Sequence, residues 1–227
     1  MLIRNWMTPD PLTVEPDTPM LDAEHLMKAN KIRCLPVVKG DKLVGIVTQN
    51  DVKAASPSAA TTLDVHELVY LLSKIKVKEI MSKNPITIRD EDTVEEAAVV
   101  MLRNKVSRLP VMTEKNKLVG IITDTDIFKV LVSLTGIYQG ETQFAFELED
   151  RSGSIKEVAD MIREAGGSMV SILTAYENAR EGFRRVYIRV KDLDKGRLTE
   201  LRRQLEKHFR VLYVMESKEK KHIFSHD

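Results

Sequence analysis

The stretch Leu118-Val-Gly-Ile-Ile-Thr-Asp-Thr-Asp126 decides the fold. Apolar residues on both sides of Gly120 predict a short buried strand, Thr123 and Asp126 occupy the turn that follows, and a helix starts from Ile127. The same stretch occurs earlier as Leu43-Val-Gly-Ile-Val-Thr-Gln-Asn-Asp51. Two copies of Gly-h-h-Thr-x-x-Asp, with h apolar, establish an internal repeat, which fixes the architecture before any single element is assigned.

Working outward, Met81-Ser-Lys-Asn-Pro-Ile-Thr-Ile answers Met7-Thr-Pro-Asp-Pro-Leu-Thr-Val, 74 residues earlier. Ala97 answers Ala23, Met101 answers Met27 and Leu109-Pro110 answers Leu35-Pro36 at the same distance. One extra residue within 113–116 lengthens it to 75, so that Gly120 answers Gly45 and Asp126 answers Asp51. Each repeat reads β-α-β-β-α. In the first helix Met20, Ala23 and Met27 recur at helical spacing as core fillers, after Thr18 as N-cap and Pro19 at the first helical position. In the second, Val94, Ala97, Ala98, Met101 and Leu102 form an apolar stripe, with Asp92 and Glu95 as a capping pair. Gly45 and Gly120 permit close strand contact. Residues 54–62 are small and polar, a linker, and 63–75 predict an amphipathic helix.

A different pattern starts at Gln143. Phe144, Phe146 and Leu148 alternate with polar or small residues in a half-buried strand, and Asp150-Arg-Ser-Gly-Ser154 is a turn. A helix over Ile155, Val158 and Ile162 ends at Gly166-Gly167; two strands follow, then a helix over Leu198, Leu201 and Leu205, then a last strand. The order is βαββαβ, a ferredoxin-like arrangement. The chain thus divides into repeat 1 (1–56), repeat 2 (57–137), a ferredoxin-like domain (138–217) and a polar tail (218–227), all of mixed α/β (α+β) class.

Of the 227 residues, 43% are hydrophobic and 30% charged, as in ordinary soluble domains. A net charge of +1 gives no reason to expect nucleic acid or an anionic membrane as partner. No apolar run approaches the ~20 residues of a membrane span, and residues 1–6 lack the core of a signal peptide. Cys34 is alone, which excludes an internal disulfide and a cysteine zinc site; the five His form no ligand-spaced cluster, so no metal and no cofactor are expected. The expected location is the reducing cytoplasm.

Met-Thr/Ser…Pro-h-Thr-h, Leu-Pro-Val, Leu-Val-Gly-Ile and Thr-x-x-Asp, each present twice in order, resemble the cystathionine-β-synthase (CBS) domain pair, the regulatory Bateman module. Residues 143–215 resemble an ACT domain by element order and by Asp150-Arg-Ser-Gly-Ser-Ile155, with Ser152 where many relatives carry proline. Together they are similar to the CBS-pair/ACT proteins often named acetoin-utilisation regulators. The resemblance implies a non-catalytic sensor that binds an adenosine compound (AMP, ADP, ATP or S-adenosylmethionine) in clefts between stacked repeats. It implies Asp51 with Thr48, and Asp126 with Thr123, at ribose and phosphate. It also implies Thr8 and Thr13, or Ser82 and Thr87, at the adenine end, and the basic residues before Leu-Pro, Arg33 and Arg108, at phosphate. An amino acid at the ACT turn would meet Asp150, Gly153 and Ser154. A homodimer is also implied.

A carboxylate accepts two hydrogen bonds from a cis-diol, and a helix N-terminus suits phosphate, so Thr-x-x-Asp fits the resemblance. The same spacing is also a capping box, which needs no ligand. Lys31 and Lys105 read as solvated. No nucleophile, base and oxyanion set can be assembled, so no enzyme is expected. One rival leaves the ligand to the ACT domain and makes the CBS pair a dimerisation scaffold; the other is a ligand-free interaction subunit that docks on a metabolic enzyme or transporter. Against it stands the argument that a plain scaffold needs neither aspartate.

Overall fold

The computed structural model describes residues 1–56, 70 and 72–216. The chain separates into two compact units, Met1–Phe128 and Lys129–Asp227. The expected linker (54–62), the helix expected over 63–75 and the tail (218–227) lie largely or wholly outside the described residues.

In the first unit, the first repeat supplies β1 (Thr8–Pro9), α1 (Met20–Ala29), β2 (Cys34–Lys39), β3 (Lys42–Thr48) and α2 (Gln49–Ala55). The second supplies α3 (Val77–Ile80), β4 (Ser82–Lys83), β5 (Ile88–Arg89), α4 (Val94–Asn104), β6 (Arg108–Met112), β7 (Leu118–Thr123) and α5 (Asp124–Thr135), whose end lies in the second unit. The sheets are ordered β2-β3-β4 and β1-β7-β6-β5. Each repeat therefore places its opening strand in the sheet of the other. Thr8 is opposite Ile121 and Pro9 opposite Gly120, while Ser82 is opposite Ile46 and Lys83 opposite Gly45.

The two glycines explain why this crossing is possible. A Cβ on Gly120 would overlap the Met7 sulfur and lie 3.1 Å from the Thr8 carbonyl oxygen; one on Gly45 would overlap the Met81 sulfur and lie 3.1 Å from the Ser82 carbonyl oxygen. The strand contact expected of these glycines is thus a contact between repeats. The exchange extends to the residues ahead of each repeat. The Val94 N–H donates to the Met1 carbonyl (2.8 Å) and the Met20 N–H to the Ile75 carbonyl (2.9 Å). Likewise the Ile3 N–H donates to Asp92 O and the Val77 N–H to Thr18 O, both at 2.9 Å, with Ile3 and Val77 fully buried. Helix N-termini carry unpaired donors, and each helix here gains a partner for its first N–H from the other repeat's leading segment.

Three local expectations need correction. Helix α4 is capped by Thr93, whose hydroxyl accepts from the Glu96 N–H at 3.2 Å while the Glu96 carboxylate accepts from the Thr93 N–H at 2.8 Å. This box lies one residue beyond the predicted Asp92–Glu95 pair, because threonine, not aspartate, holds the extended position before Val94; Glu95 instead takes the Met1 ammonium at 3.1 Å. Pro19, not Thr18, is the N-cap of α1, and the Thr18 hydroxyl accepts from the Glu15 N–H at 3.1 Å. Leu102, placed on the apolar stripe of α4, is 80% exposed. Met20, Ala23 and Met27 are core residues as expected, packed with Leu35, Val37 and Val47.

The second unit contains β8 (Thr142–Glu149), α6 (Ser154–Glu164), β9 (Ser168–Ala175), β10 (Phe183–Lys191), α7 (Lys195–His208) and β11 (Arg210–Glu216). Its sheet is antiparallel throughout, ordered β11-β8-β10-β9, which is the predicted βαββαβ arrangement. Phe144, Phe146 and Leu148 pack with Val158 and Ile162 of α6 and Leu198, Leu201 and Leu205 of α7. Arg189 is buried on β10; its Nε donates to the Thr135 carbonyl at 2.9 Å and its Nη1 to the Gly140 carbonyl at 3.3 Å. A guanidinium at a helix C-terminus is favoured by the helix dipole.

Candidate ligand clefts

Strand β3 ends at Thr48, where the chain turns into α2. The Thr48 N–H and hydroxyl donate to Asp51 Oδ2 at 2.7 and 2.8 Å, and the Asp51 N–H donates back to the hydroxyl at 3.3 Å. At the end of β7, Thr123 and Asp126 repeat this at 3.0, 2.7 and 3.3 Å, with Asp126 buried. Both aspartates therefore complete capping boxes, a use that any scaffold has for them. The argument that a ligand-free scaffold needs neither aspartate does not survive this geometry. Each box engages one carboxylate oxygen, Oδ2; Oδ1 takes no part in it.

Within the first unit, a cavity of about 360 Å³ opens beside Thr48. The end of β3 contributes Ile46, Thr48 and, just beyond, Asn50; β4 and the turn after it contribute Ser82 through Ile86; the approach to β6 contributes Lys105 through Arg108 and Pro110. Three predicted site residues, Thr48, Ser82 and Arg108, meet here, drawn from both repeats by the strand exchange. Asp51 stands behind Thr48 in the capping box and does not line the cavity. Thr8, Thr13, Thr87, Arg33, Thr123 and Asp126 do not line it either. Thr8 and Thr123 belong instead to the other sheet, through β1 and β7.

The cavity has an apolar wall, with Ile46, Pro85, Ile86, Val106 and Pro110, and a cationic one, with Lys83, Lys105 and Arg108. Arg108 is half-buried, and its Nη1 reaches the Arg33 carbonyl oxygen at 3.4 Å, the long end of hydrogen bonding. Burial pushes the nearby Cys34 thiol pKa up, opposed by the charge of Arg108. The sequence reading missed Lys83 and took Lys105 as merely solvated. Lys105 is exposed, but it ends α4 with φ 55°, in the left-handed region, and this turn sets it on the cavity rim. Lys31, at the matching position of the first repeat, is left-handed as well, with φ 53°.

In the second unit the turn before α6 is already occupied by its own side chains. Gly153, with φ 87°, is the N-cap, and an added Cβ there would meet nothing within 4 Å. The glycine is needed for its backbone angle rather than for a close approach. Ser154 is the first helical residue; its hydroxyl donates to the Arg151 carbonyl at 3.1 Å and accepts from Arg184 Nη2 at 3.2 Å. Arg151 forks onto Glu157 at 2.8 and 2.9 Å, and Arg184 lies 3.6 Å from Asp150. Ser154 lines a cavity of about 220 Å³ together with Arg151, Glu157, Phe183, His208 and Arg210, among others; Asp150 and Gly153 do not. Among the described residues no cluster suited to a metal ion occurs, and no helix is long and apolar enough to cross a membrane.

The CBS domain family matches residues 3–58 and 77–133. A CBS domain-containing protein of Dictyostelium discoideum is 34% identical over 135 residues, which is 59% of this chain and 93% of that protein. An inosine-5'-monophosphate dehydrogenase of Korarchaeum cryptofilum is 39% identical over 119 residues, 52% of this chain, but the match spans only 22% of the enzyme. Among solved structures, the CBS-pair protein CBSX2 of Arabidopsis thaliana aligns with a TM-score of 0.50 and 30% identity, covering 58% of this chain and 94% of that one.

Proposed function

Because the chain belongs to the CBS-domain family, we propose that it is a non-catalytic regulatory sensor that takes an adenosine nucleotide in the cleft of Thr48, Ser82 and Arg108. The observation that carries this reading is the cavity itself, where the two repeats bring an apolar wall and a cationic wall together beside the Thr48–Asp51 box. The apolar wall suits a base and Arg108 a phosphate, while Asp51, outside the cavity lining, holds Thr48 at the rim. The second cleft, of Thr123 and Asp126, is the matching candidate. The second unit, read as an ACT domain, has an amino acid as its candidate ligand at the Ser154 cavity. The protein is proposed to act as a cytoplasmic homodimer on a metabolic enzyme or transporter. Exposed Val99 and Leu102 on α4 supply apolar surface for pairing. Light scattering near 25.8 kDa at working concentration would refute the dimer.

The capping boxes favour a second reading, a ligand-free interaction subunit, because they account for both aspartates without any ligand. Calorimetric titration with AMP, ATP and S-adenosylmethionine separates the two: heat from any one supports the sensor, and silence from folded protein leaves the interaction subunit. Arg108→Ala should weaken AMP on the order of 10- to 150-fold, the worth of a charge-assisted hydrogen bond, and leave adenosine nearly unchanged. Equal weakening of both ligands would return Arg108 to a structural role.

A further inference from the structure

The internal repeat provides a control for the charge of the cleft. Seventy-four residues before Lys83, Asn84, Lys105, Ser107 and Arg108 stand Pro9, Asp10, Lys31, Arg33 and Cys34. The backbone is duplicated with little change: Asn84 and Asp10 have φ 49° and 45°, and Lys105 and Lys31 have φ 55° and 53°. The apolar residues recur in the sequence, Pro11, Leu12, Ile32 and Pro36 for Pro85, Ile86, Val106 and Pro110, and Ile86 and Leu12 are both exposed, at 39% and 44%. The charge is not duplicated. The first set carries three cations and no anion, and among the described residues the cavity it lines contains no Asp or Glu. The second set carries two cations and one anion, Asp10, and replaces the arginine by a cysteine.

We infer that the two clefts are not equivalent, and that the cleft of Thr48 and Arg108 is the one built for a polyphosphate-bearing nucleoside, one per chain, and against S-adenosylmethionine. This rests on the nucleotide reading above and specifies its ligand. Three cations that converge on one cavity without a counter-charge repel one another, and an anion that enters relieves that repulsion. A nucleoside triphosphate brings several negative charges to the cationic wall. S-adenosylmethionine offers the same adenosine but a net positive charge, from a sulfonium and an ammonium against one carboxylate, so it adds to the repulsion. The cleft thus sorts ligands that share an adenosine by what is attached to it, which is selection by an unfavourable element as much as by a favourable one.

Calorimetric titration of the full chain with ATP, AMP, adenosine and S-adenosylmethionine tests this. The expected order of affinity is ATP, AMP, adenosine and then S-adenosylmethionine, with one tight ATP site per chain and a preference for ATP that shrinks as salt is raised. The double variant Lys83→Gln, Lys105→Asn removes two cations, and asparagine tolerates the left-handed backbone at position 105. It should weaken ATP by about ten-fold or more and move adenosine by less than about two-fold. Two ATP sites of equal affinity per chain, S-adenosylmethionine binding as tightly as ATP, or a variant that loses adenosine as much as ATP would each overturn the inference while the nucleotide reading stands. Failure of every adenosine compound to bind the folded protein would overturn both.

Discussion

In the first unit Thr8 pairs with Ile121, across almost the whole of both repeats, whereas in the second unit Phe183 pairs with Glu149 across one helix and one strand. Both units lay helices against largely antiparallel sheets, yet only in the first does a sheet take its edge strand from the other repeat. The difference is set by sequence. The alternation of Phe144, Phe146 and Leu148 commits one face of β8 to a core that α6 and α7 can cover alone. The two-residue strands β1 and β4 have both members exposed and little apolar surface of their own, so a glycine on the partner strand and a methionine just before the crossing fix their place. The first unit gains from this a cleft lined by both repeats, and it depends on remote contacts to keep it.

The largest test of that contrast is deletion of residues 1–9. It removes β1, the buried Ile3 and the Met1 carbonyl that accepts from the first N–H of α4, and should destabilise the first unit by about 5 kcal/mol, with the second unit unaffected. Amide hydrogen exchange, resolved by element, should show protection lost in β6 and β7 and retained in β8 and β10. Loss spread evenly over both units would mean that the contrast is wrong. A point substitution sharpens it: Gly120→Val forces a side chain into Met7 and the Thr8 carbonyl and should cost about 3 kcal/mol. Gly153→Ala meets no atom and should cost only about 1–2 kcal/mol, the strain of a left-handed backbone. Chemical denaturation of each variant checks the ranking.

Smaller still is the cap of α4. Thr93→Ala removes the hydroxyl of the box and should cost about 1 kcal/mol in the first unit. Asp92→Ala, at the position the sequence pattern favoured, should cost less, since the Asp92 carboxylate accepts from the Arg89 N–H ahead of the helix and not from a helix N–H. The smallest effect is in the second unit. The hydrogen bonds from Arg151 hold the Glu157 carboxyl below its ordinary value of 4.5. A depressed folded pKa means stability that is present above the unfolded value and lost as pH falls through the folded one. Acid titration downward from about pH 4.5 should therefore loosen the α6 turn slightly, and Arg151→Met should remove that dependence. The pair is exposed, so salt should also weaken it.

Much of the architecture was legible because it is written in periodicity. The repeat and the βαββαβ order follow from apolar spacing and glycine placement, and these survive in the structure. The exchange of opening strands was not legible, since Thr8-Pro9 and Ser82-Lys83 carry no apolar alternation that would mark a strand. Gly45 and Gly120 carried the only hint, a close approach with an unnamed partner. The candidate site was legible in part. Thr48, Ser82 and Arg108 converge, but Lys83 and Lys105 escaped notice because exposed lysines carry no periodic signal. The rim position of Lys105 depends on a single left-handed residue at a helix end. Asp51 showed the opposite problem: one spacing fitted two uses, and only the geometry reveals the cap.

The strand exchange also bears on how such a chain can be taken apart. A cut within 57–69 would give two fragments, each carrying a strand that belongs in the other's sheet. Neither half holds a complete sheet of its own, so the fragments should remain incomplete when separate and reassemble as complements when mixed. A gene for one repeat alone would face the same demand, and a second copy of itself is the partner that meets it. The tandem can thus be seen as a symmetric dimer joined by a covalent link. Because the link frees each half from being its own twin, position 108 can keep an arginine while position 34 holds a cysteine.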